Sequence, residues 1–406
     1  MDIRSSLSPN NTQLLLPKRS RLLYVVGQLR LGGLERQLYY LLANLDHAQY
    51  RPAVVVWNFN LNDKYYWDIE KLGVPICGFP AEWSPWSKLR ALAALARQVE
   101  PEVIHSYGFH TNFAAAYAAW QAGALAIGSL RGDFARAKAE GGLFRGALNA
   151  KWPATHISNS MKSADAASGT TGPFRPNRIF VVRNALDVKQ FELASDAPKR
   201  QSYVAAVGSL SPVKRWDRLL RVVGQVKVDG YKDVRFQIAG DGPLRSTLEK
   251  TVSDLGISGC VEFQGPVHDI PAFLNGARFL VHTSESEGCP NAVMEAMACG
   301  LPVVAMDTGD IPWLVEDGKT GFVVPQGDEG TFVRRISQLL GDEGLCLSMG
   351  AAAREKAKRE FTLERLVCET LDAYRVAGWR DGMVDGHSMT SGEIGTVNST
   401  SGILTR

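Results

Sequence analysis

At 406 residues the chain is long enough for two domains. Its 45% hydrophobic and 21% charged content excludes a disordered or fibrous protein, and no window approaches the roughly 20 uninterrupted apolar residues of a membrane span. Net charge is +3, but residues 1–195 hold 22 Lys and Arg against 14 Asp and Glu, a balance of +8, while the remainder holds 23 against 28, a balance of −5. Two halves of opposite sign imply different partners. An anionic acceptor or an anionic membrane surface is expected to face the first half; drift in surface composition is the plainer reading.

Residues 1–19 are polar, rich in Ser, Asn and Pro, and predicted to be disordered. Their "LLL" is too short for the core of a signal peptide, so a cytoplasmic chain is expected. Short β-branched runs then alternate with helical patterns. Strands are predicted at "RLLYVVGQL" (21–29), "PAVVVWNF" (52–59), "VPICGF" (74–79), "EVIHSYG" (102–108), "ALAIGSLR" (124–131), "THISNS" (155–160) and "RIFVVRN" (178–184). Helices such as "ERQLYYLLANL" and "SKLRALAALARQVE" lie between them, which argues for a parallel sheet covered on both faces. The stretch 187–202 is polar and aperiodic. The alternation then restarts with "YVAAVGSL", "VRFQIAG", "VEFQG", "ARFLVHTS", "LPVVAMD" and "GFVVP".

The predicted fold class is therefore α/β, with two Rossmann-like doubly wound domains facing a central cleft. The expected boundaries are 20–190 and 200–361, then a helix over 362–380 that packs back toward the first domain. The Gly-, Ser- and Thr-rich 381–406 is read as a disordered tail. Cys77, Cys260, Cys289, Cys299, Cys346 and Cys368 are scattered without a CxxC pair or a zinc spacing and are read as reduced core or loop thiols of a cytosolic protein.

Ligands of doubly wound sheets bind beyond the carboxyl ends of the strands, so the loops that leave strands carry the candidates. Gly32 and Gly33 separate the first strand from its helix, where backbone can approach a phosphate; a simple turn is the alternative. The spacing is neither GxGxxG nor a Walker loop. His105 and His110 follow the fourth strand, and Arg131 the fifth; each is a candidate sugar, acceptor or anion contact, or else structural. Lys214 and Arg215 lie at a helix start, where the macrodipole disfavours cations unless an anion is present. "AGDGP" is read as a structural turn.

The densest segment is "ESEGCPNAVMEAMACGLPVV" (285–304). Pro290 suits a first helical turn and Gly300 a stop, so Glu287 lies in the turn and Glu295 on the second turn of the helix. The helix start can hold an anion, and carboxylates can accept hydrogen bonds from a vicinal diol. Phosphate and diols together describe a nucleotide sugar.

These residues resemble the retaining glycosyltransferases of family 4, which have the GT-B fold. The similarity covers roughly residues 21–380 and is carried by "GGLERQ", "GSLSPVKRWDRLL", "IAGDGPLR", the run from "VEFQGPVHDI" to "GFVVP", and "VVRNALDVKQF", which is similar to the family's Asn-Gly-Ile-Asp junction with Ala185 in place of glycine. The resemblance implies that Glu287 stands near the anomeric carbon and that Glu295 holds the ribose. It implies that Gly288, Cys289, Pro290, Asn291 and Ala292 line the sugar and diphosphate, that Lys214 meets the diphosphate, and that Gly33 closes over it. Ser209 stands where the family usually has Arg beside that lysine, and Arg131 where many members have His.

The expectation is a metal-independent, retaining transfer of a sugar from a nucleoside diphosphate sugar to a glycan or lipid-linked acceptor, in polysaccharide, lipopolysaccharide or glycolipid assembly. No cofactor and no nucleic acid partner are expected. Aromatic and basic residues interleaved over 131–152 (Phe134, Leu143, Phe144 and Trp152 among Arg136, Lys138, Arg145 and Lys151) suggest peripheral contact with anionic membrane at the inner face, with a solvated basic loop as the alternative. A non-catalytic nucleotide-binding or scaffold partner of a glycan-assembly complex is the other function class, and a nucleotide-sugar epimerase the third.

Overall fold

The computed structural model describes residues 16–132, 134–172, 175–191, 203–381, 396–398 and 404–405. Residues 1–15, Asp133, 192–202 of the expected linker and most of the expected tail lie outside the described residues. The chain divides into two compact units, Met1–Arg183 with Leu366–Arg406, and Asn184–Arg365.

The first unit is built on β1 (Leu22–Val26), β2 (Pro52–Val56), β3 (Ile76–Gly78), β4 (Val103–Ser106), β5 (Leu125–Leu130), β6 (Thr155–Ser158) and β7 (Arg178–Val181). They pair in parallel in the order β7-β6-β5-β4-β1-β2-β3. All five residues of β1 and of β2 are buried, as continuous apolar strands covered on both faces must be. One face packs Leu23, Val25, Val55 and Ile104 against Leu92, Ala96 and Val99 of the helix Pro85–Val99, whose start is capped by Ser84.

The second unit holds β8 (Tyr203–Val207), β9 (Arg235–Ala239), β10 (Val261–Gly265), β11 (Ala277–His282), β12 (Val303–Met306) and β13 (Gly321–Val324), all parallel, in the order β10-β9-β8-β11-β12-β13. Renumbered within the unit, this is the 3-2-1-4-5-6 order of dinucleotide-binding sheets. In both units the order reverses beside the first strand, between β1 and β4 and between β8 and β11. The chain leaves those paired strands in opposite directions, which opens a crevice at their carboxyl ends.

Three local expectations change. Leu16 is buried in the first unit's core and the Arg19 amide donates to the Val99 carbonyl at 2.8 Å, so the ordered chain begins before residue 20. Within the polar stretch after 187, Val188–Phe191 forms a 3₁₀ turn because Phe191 finds an apolar pocket of the second unit. In the tail, β14 (Thr396–Asn398) pairs antiparallel with β7 and β15 (Leu404–Thr405) with β14. The edge of β7 offers unpaired backbone groups, which even a polar segment can satisfy.

Candidate functional site

In the second unit the crevice between β8 and β11 is formed by two loops. The first, after β8, runs through Ser209 and Ser211 to a 3₁₀ turn, Pro212–Lys214. Arg215 then takes a left-handed conformation (φ 51°) and the helix Trp216–Val228 begins. The turn after β9 supports this loop: the Leu210 amide donates to the Asp241 carbonyl at 2.9 Å, and the Leu244 amide to the Leu210 carbonyl at 3.0 Å. The "AGDGP" segment is thus a shelf beneath the loop, and its helix starts only at Arg245.

The second loop, after β11, carries Glu287. Arg218 donates to the Thr283 carbonyl (3.1 Å) and to Gln326 Oε1 (2.9 Å), and Gln326 donates to the Ser284 carbonyl (2.9 Å). Thr308 Oγ1 donates to the Glu285 carbonyl at 3.0 Å, and the Asp310 amide to the Gly288 carbonyl at 2.8 Å. Between them Gly309 (φ 53°) packs so closely that a β-carbon there would collide with the Gly288 and Glu287 carbonyls. Asn184 Nδ2 donates to the Cys289 carbonyl (2.8 Å) and to Asn291 Oδ1 (3.0 Å). The helix then runs Asn291–Ala298 with Pro290 at the capping position, one residue later than the sequence suggests, and Gly300 (φ 68°) ends it.

Across the crevice Lys214 Nζ donates to Glu287 Oε1 at 2.6 Å, with both side chains mostly buried at 20% and 14% exposure. His282 Nε2 lies 3.3 Å from the same oxygen, without hydrogen-bond alignment. Burial on its own would raise the Glu287 carboxyl; the Lys214 charge and His282 outweigh it and hold the group well below the usual carboxylate range. Glu295 is 3% exposed on the helix behind. Arg215 makes its ion pairs elsewhere than with Glu287. It forms a bidentate pair with Asp217 (3.0 and 3.1 Å) and reaches Glu285 at 3.4 Å. Its guanidinium, expected to serve the donor beside Lys214 where Ser209 replaces the usual arginine, is thus held by two carboxylates.

In the first unit the crevice between β1 and β4 opens into a cavity of about 950 Å³. Gly32 caps the helix Gly33–Asn44 in extended conformation. A β-carbon at Gly32 would meet only the Glu35 carboxylate, the end of a flexible side chain that can move aside. Gly33 is exposed at the helix start. His110 and Arg131 line the cavity. His105 does not: it is 1% exposed, with Nδ1 at 2.6 Å from the Tyr374 hydroxyl and Nε2 at 3.2 Å from Ser129 Oγ. Burial, reinforced by Arg131, pushes its imidazole well below its ordinary value. It ties the helix Leu363–Ala377 into this unit and touches no crevice. The expected basic and aromatic patch is also smaller than its sequence. Phe134 is buried, Arg136 pairs with Glu140 (2.8 Å) and Lys151 bonds Asn177 (2.9 Å), leaving Phe144, Trp152 and Arg145 outward. Among the described residues no helix is long and apolar enough to cross a membrane, and no group of three His, Cys, Asp or Glu gathers as a metal site.

His282, Asn184 and Gly309 were not singled out in the sequence. His282 ends a strand, the position that marks site residues in such sheets, and Asn184 sits in the quoted junction, so both carried a usable signal. Gly309 carried none, because its role lies in a contact between two distant loops.

Residues 32–185 match the family described as "Glycosyl transferase 4-like domain", and residues 201–342 the one described as "Glycosyl transferases group 1". The chain belongs to the family 4 glycosyltransferases. It is 30% identical over 190 residues to the lipopolysaccharide core biosynthesis glycosyltransferase LpsE of Rhizobium meliloti, covering 47% of this chain and 52% of that one. It is 28% identical over 196 residues to the N-acetyl-alpha-D-glucosaminyl L-malate synthase of Bacillus anthracis, covering 48% and 50%. The chain thus spans about half the length of the curated relatives it matches. A crystal structure of HepE (Alr3699) from Anabaena, in complex with UDP, superposes with a TM-score of 0.75 at 19% identity, over 88% of this chain and all of that one. The likeness shows the shared GT-B fold of these glycosyltransferases.

Proposed function

We propose that this family 4 glycosyltransferase transfers a sugar from a nucleoside diphosphate sugar to an acceptor hydroxyl, with retention and without a metal, in polysaccharide, lipopolysaccharide or glycolipid assembly. The observation that carries this reading is the Lys214–Glu287 pair at the strand-order reversal of the second unit, beside the start of the helix that bears Glu295. That HepE has been crystallised with UDP-glucose makes uridine diphosphate sugars the first donors to test.

In this reading the diphosphate lies against Lys214 and the amides of 288–292, where an ammonium and free N–H groups stabilise the leaving charge. Drawing Lys214 toward the diphosphate loosens its bond to Glu287, whose carboxylate then faces the anomeric carbon as positive charge develops. The bond from that carbon to the diphosphate oxygen breaks with its electron pair. The acceptor oxygen attacks from the same face, and its proton passes to the departing diphosphate oxygen. Glu295, buried on the second helical turn, accepts from the ribose hydroxyls. Arg215 shapes the Lys214 loop through Asp217 and Glu285. A cytoplasmic protein in peripheral contact with anionic membrane is the matching location, through outward Phe144, Trp152 and Arg145.

Calorimetry with UDP, paired with hydrolysis of a panel of nucleotide sugars, tests the reading. Binding of UDP and release of nucleoside diphosphate from at least one sugar donor are expected. Binding without turnover across the panel would make the chain a nucleotide-binding scaffold instead.

A further inference from the structure

His282 is the last residue of β11, and its backbone is paired with Ala305 of β12. Its side chain is 3% exposed, and Nε2 is buried without a hydrogen-bond partner, 3.3 Å from Glu287 Oε1. A buried polar nitrogen left unbonded is costly and uncommon in a folded protein. The neighbouring carboxylate also fixes what that nitrogen carries. A ring lone pair facing Oε1 at this distance would set two electron-rich atoms against each other. The ring therefore bears a proton on Nε2 and presents an N–H to Glu287.

Lys214 already occupies that oxygen. Among the described residues it makes the one side-chain hydrogen bond to Glu287, at 2.6 Å on the same Oε1. Burial works against the Glu287 charge, and Lys214 and then His282 offset it. The two donors differ in freedom. Lys214 carries its ammonium on a long flexible stem and is 20% exposed. Its turn is fixed at the backbone: Thr283 Oγ1 donates to the Lys214 carbonyl at 3.0 Å, and the Glu285 amide to the Val213 carbonyl at 2.9 Å. Only the stem can take the ammonium away. The imidazole is short, packed and anchored at a strand end, so it stays beside Glu287. An anion that draws the ammonium off Oε1 strips a buried carboxylate of its counter-charge, which is strongly disfavoured unless another donor steps in. Nε2–H needs only to close from 3.3 Å to about 2.9 Å and align.

We infer that His282 is a positioning residue for Glu287: when Lys214 turns to an anion in the crevice, the Nε2–H of His282 takes over Oε1 and keeps the carboxylate charged and aimed. His282 touches no substrate in this role and acts through Glu287. The exchange of partners stands on the geometry of these three side chains. That the anion is the diphosphate of a sugar donor, and that aiming Glu287 governs turnover, rests on the glycosyl-transfer reading.

Proton–nitrogen correlation spectra of the full chain with isotope-labelled histidine test the exchange, His282 being assigned by the signal missing from His282→Gln. A proton on Nε2 is expected in the free protein. Lys214→Met keeps most of the stem and removes the ammonium. It is expected to move that proton downfield with no ligand present, as the full hydrogen bond to Glu287 forms, and adding Glu287→Ala is expected to abolish the movement. A saturating nucleoside diphosphate (UDP, GDP or ADP, whichever calorimetry shows to bind) is expected to produce the same downfield movement in the wild type. With a sugar donor that the wild type turns over, His282→Leu is expected to lower kcat by about 10- to 100-fold, the worth of one hydrogen bond to a charged group, while nucleotide affinity changes by less than about threefold. His282→Gln, whose amide N–H falls near the place of Nε2–H, is expected to recover most of that loss. A residue that only filled space would leave the proton unmoved in Lys214→Met, and glutamine would then do no better than leucine. An Nε2 without a proton, a proton unmoved in Lys214→Met, or undiminished kcat in His282→Leu overturns the proposal. A nucleotide-induced movement with no donor turned over would sink the transfer reading and leave the exchange standing; turnover with an unmoved imidazole signal would do the reverse.

Discussion

Glu287 gathers the chemistry of the second unit into one carboxylate. Its low folded value has a sign with a consequence. A carboxyl depressed on folding contributes its full stability above its ordinary value of 4.5 and loses it progressively as the pH falls from there toward the lower folded value. The carboxyl resonance of Glu287 is therefore expected to stay ionised through the acid range in which free glutamates titrate, and Lys214→Ala is expected to move it upward. Glu287→Gln keeps an oxygen for Lys214 and is expected to leave the melting temperature within a few degrees while reducing turnover by about 100-fold or more, the scale seen when one preorganised charge-stabilising group is removed. Gly309→Ala attacks the same residue from beneath. With a β-carbon driven into the Gly288 and Glu287 carbonyls at a left-handed φ, it is expected to cost roughly 1–3 kcal/mol and lower turnover together, measured by thermal melts and initial rates.

Elements position these residues. The start of the helix Asn291–Ala298 is held by Asn184, and Arg365 in turn donates to the Asn184 carbonyl at 2.6 Å. Asn184→Ala removes two donated bonds and is expected to destabilise the second unit by about 1–2 kcal/mol and, on the proposed reading, to raise the donor KM more than it lowers kcat, since it loosens the turn at 289–291 and leaves Glu287 in place. Elements were also what the sequence showed best. Runs such as "LLYVV" and "YVAAV" read as strands buried on both faces because they are short, rich in β-branched and aromatic residues and followed by a glycine or a cap at each return. The placement of Glu287 before the helix and of Glu295 on its second turn was legible because Pro290 and Gly300 mark where that helix starts and stops. His105 misled because the end of a strand looks the same whether the side chain meets a crevice or Tyr374, which is 269 residues away. The tail strand at 396–398 was hidden for a similar reason: its partner, the edge of β7, is not encoded in its own composition.

On the scale of the whole molecule, buried histidines set the acid limit. His156 is fully buried, and burial lowers its imidazole from 6.5 to about 4. Above pH 6.5 it is neutral folded or unfolded and contributes nothing to the pH dependence. As pH falls from 6.5 toward 4 the unfolded chain binds the proton first, so stability declines, by roughly 3 kcal/mol at the lower end. Chemical denaturation between pH 7 and 4 is expected to show this slope, and His156→Gln to flatten it. Both units owe their crevices to the same reversal of strand order, one carrying the carboxylate–lysine pair and the other a cavity lined by apolar side chains together with Arg131 and His110.

The most direct test of the central claim is time-resolved proton NMR of the chain with a panel of nucleoside diphosphate sugars, wild type beside Glu287→Gln, with UDP binding measured on both. Consumption of at least one α-linked donor by the wild type, an α-configured product, and UDP binding without turnover in Glu287→Gln are expected. Undiminished turnover in Glu287→Gln, or a β-configured product, would contradict the account.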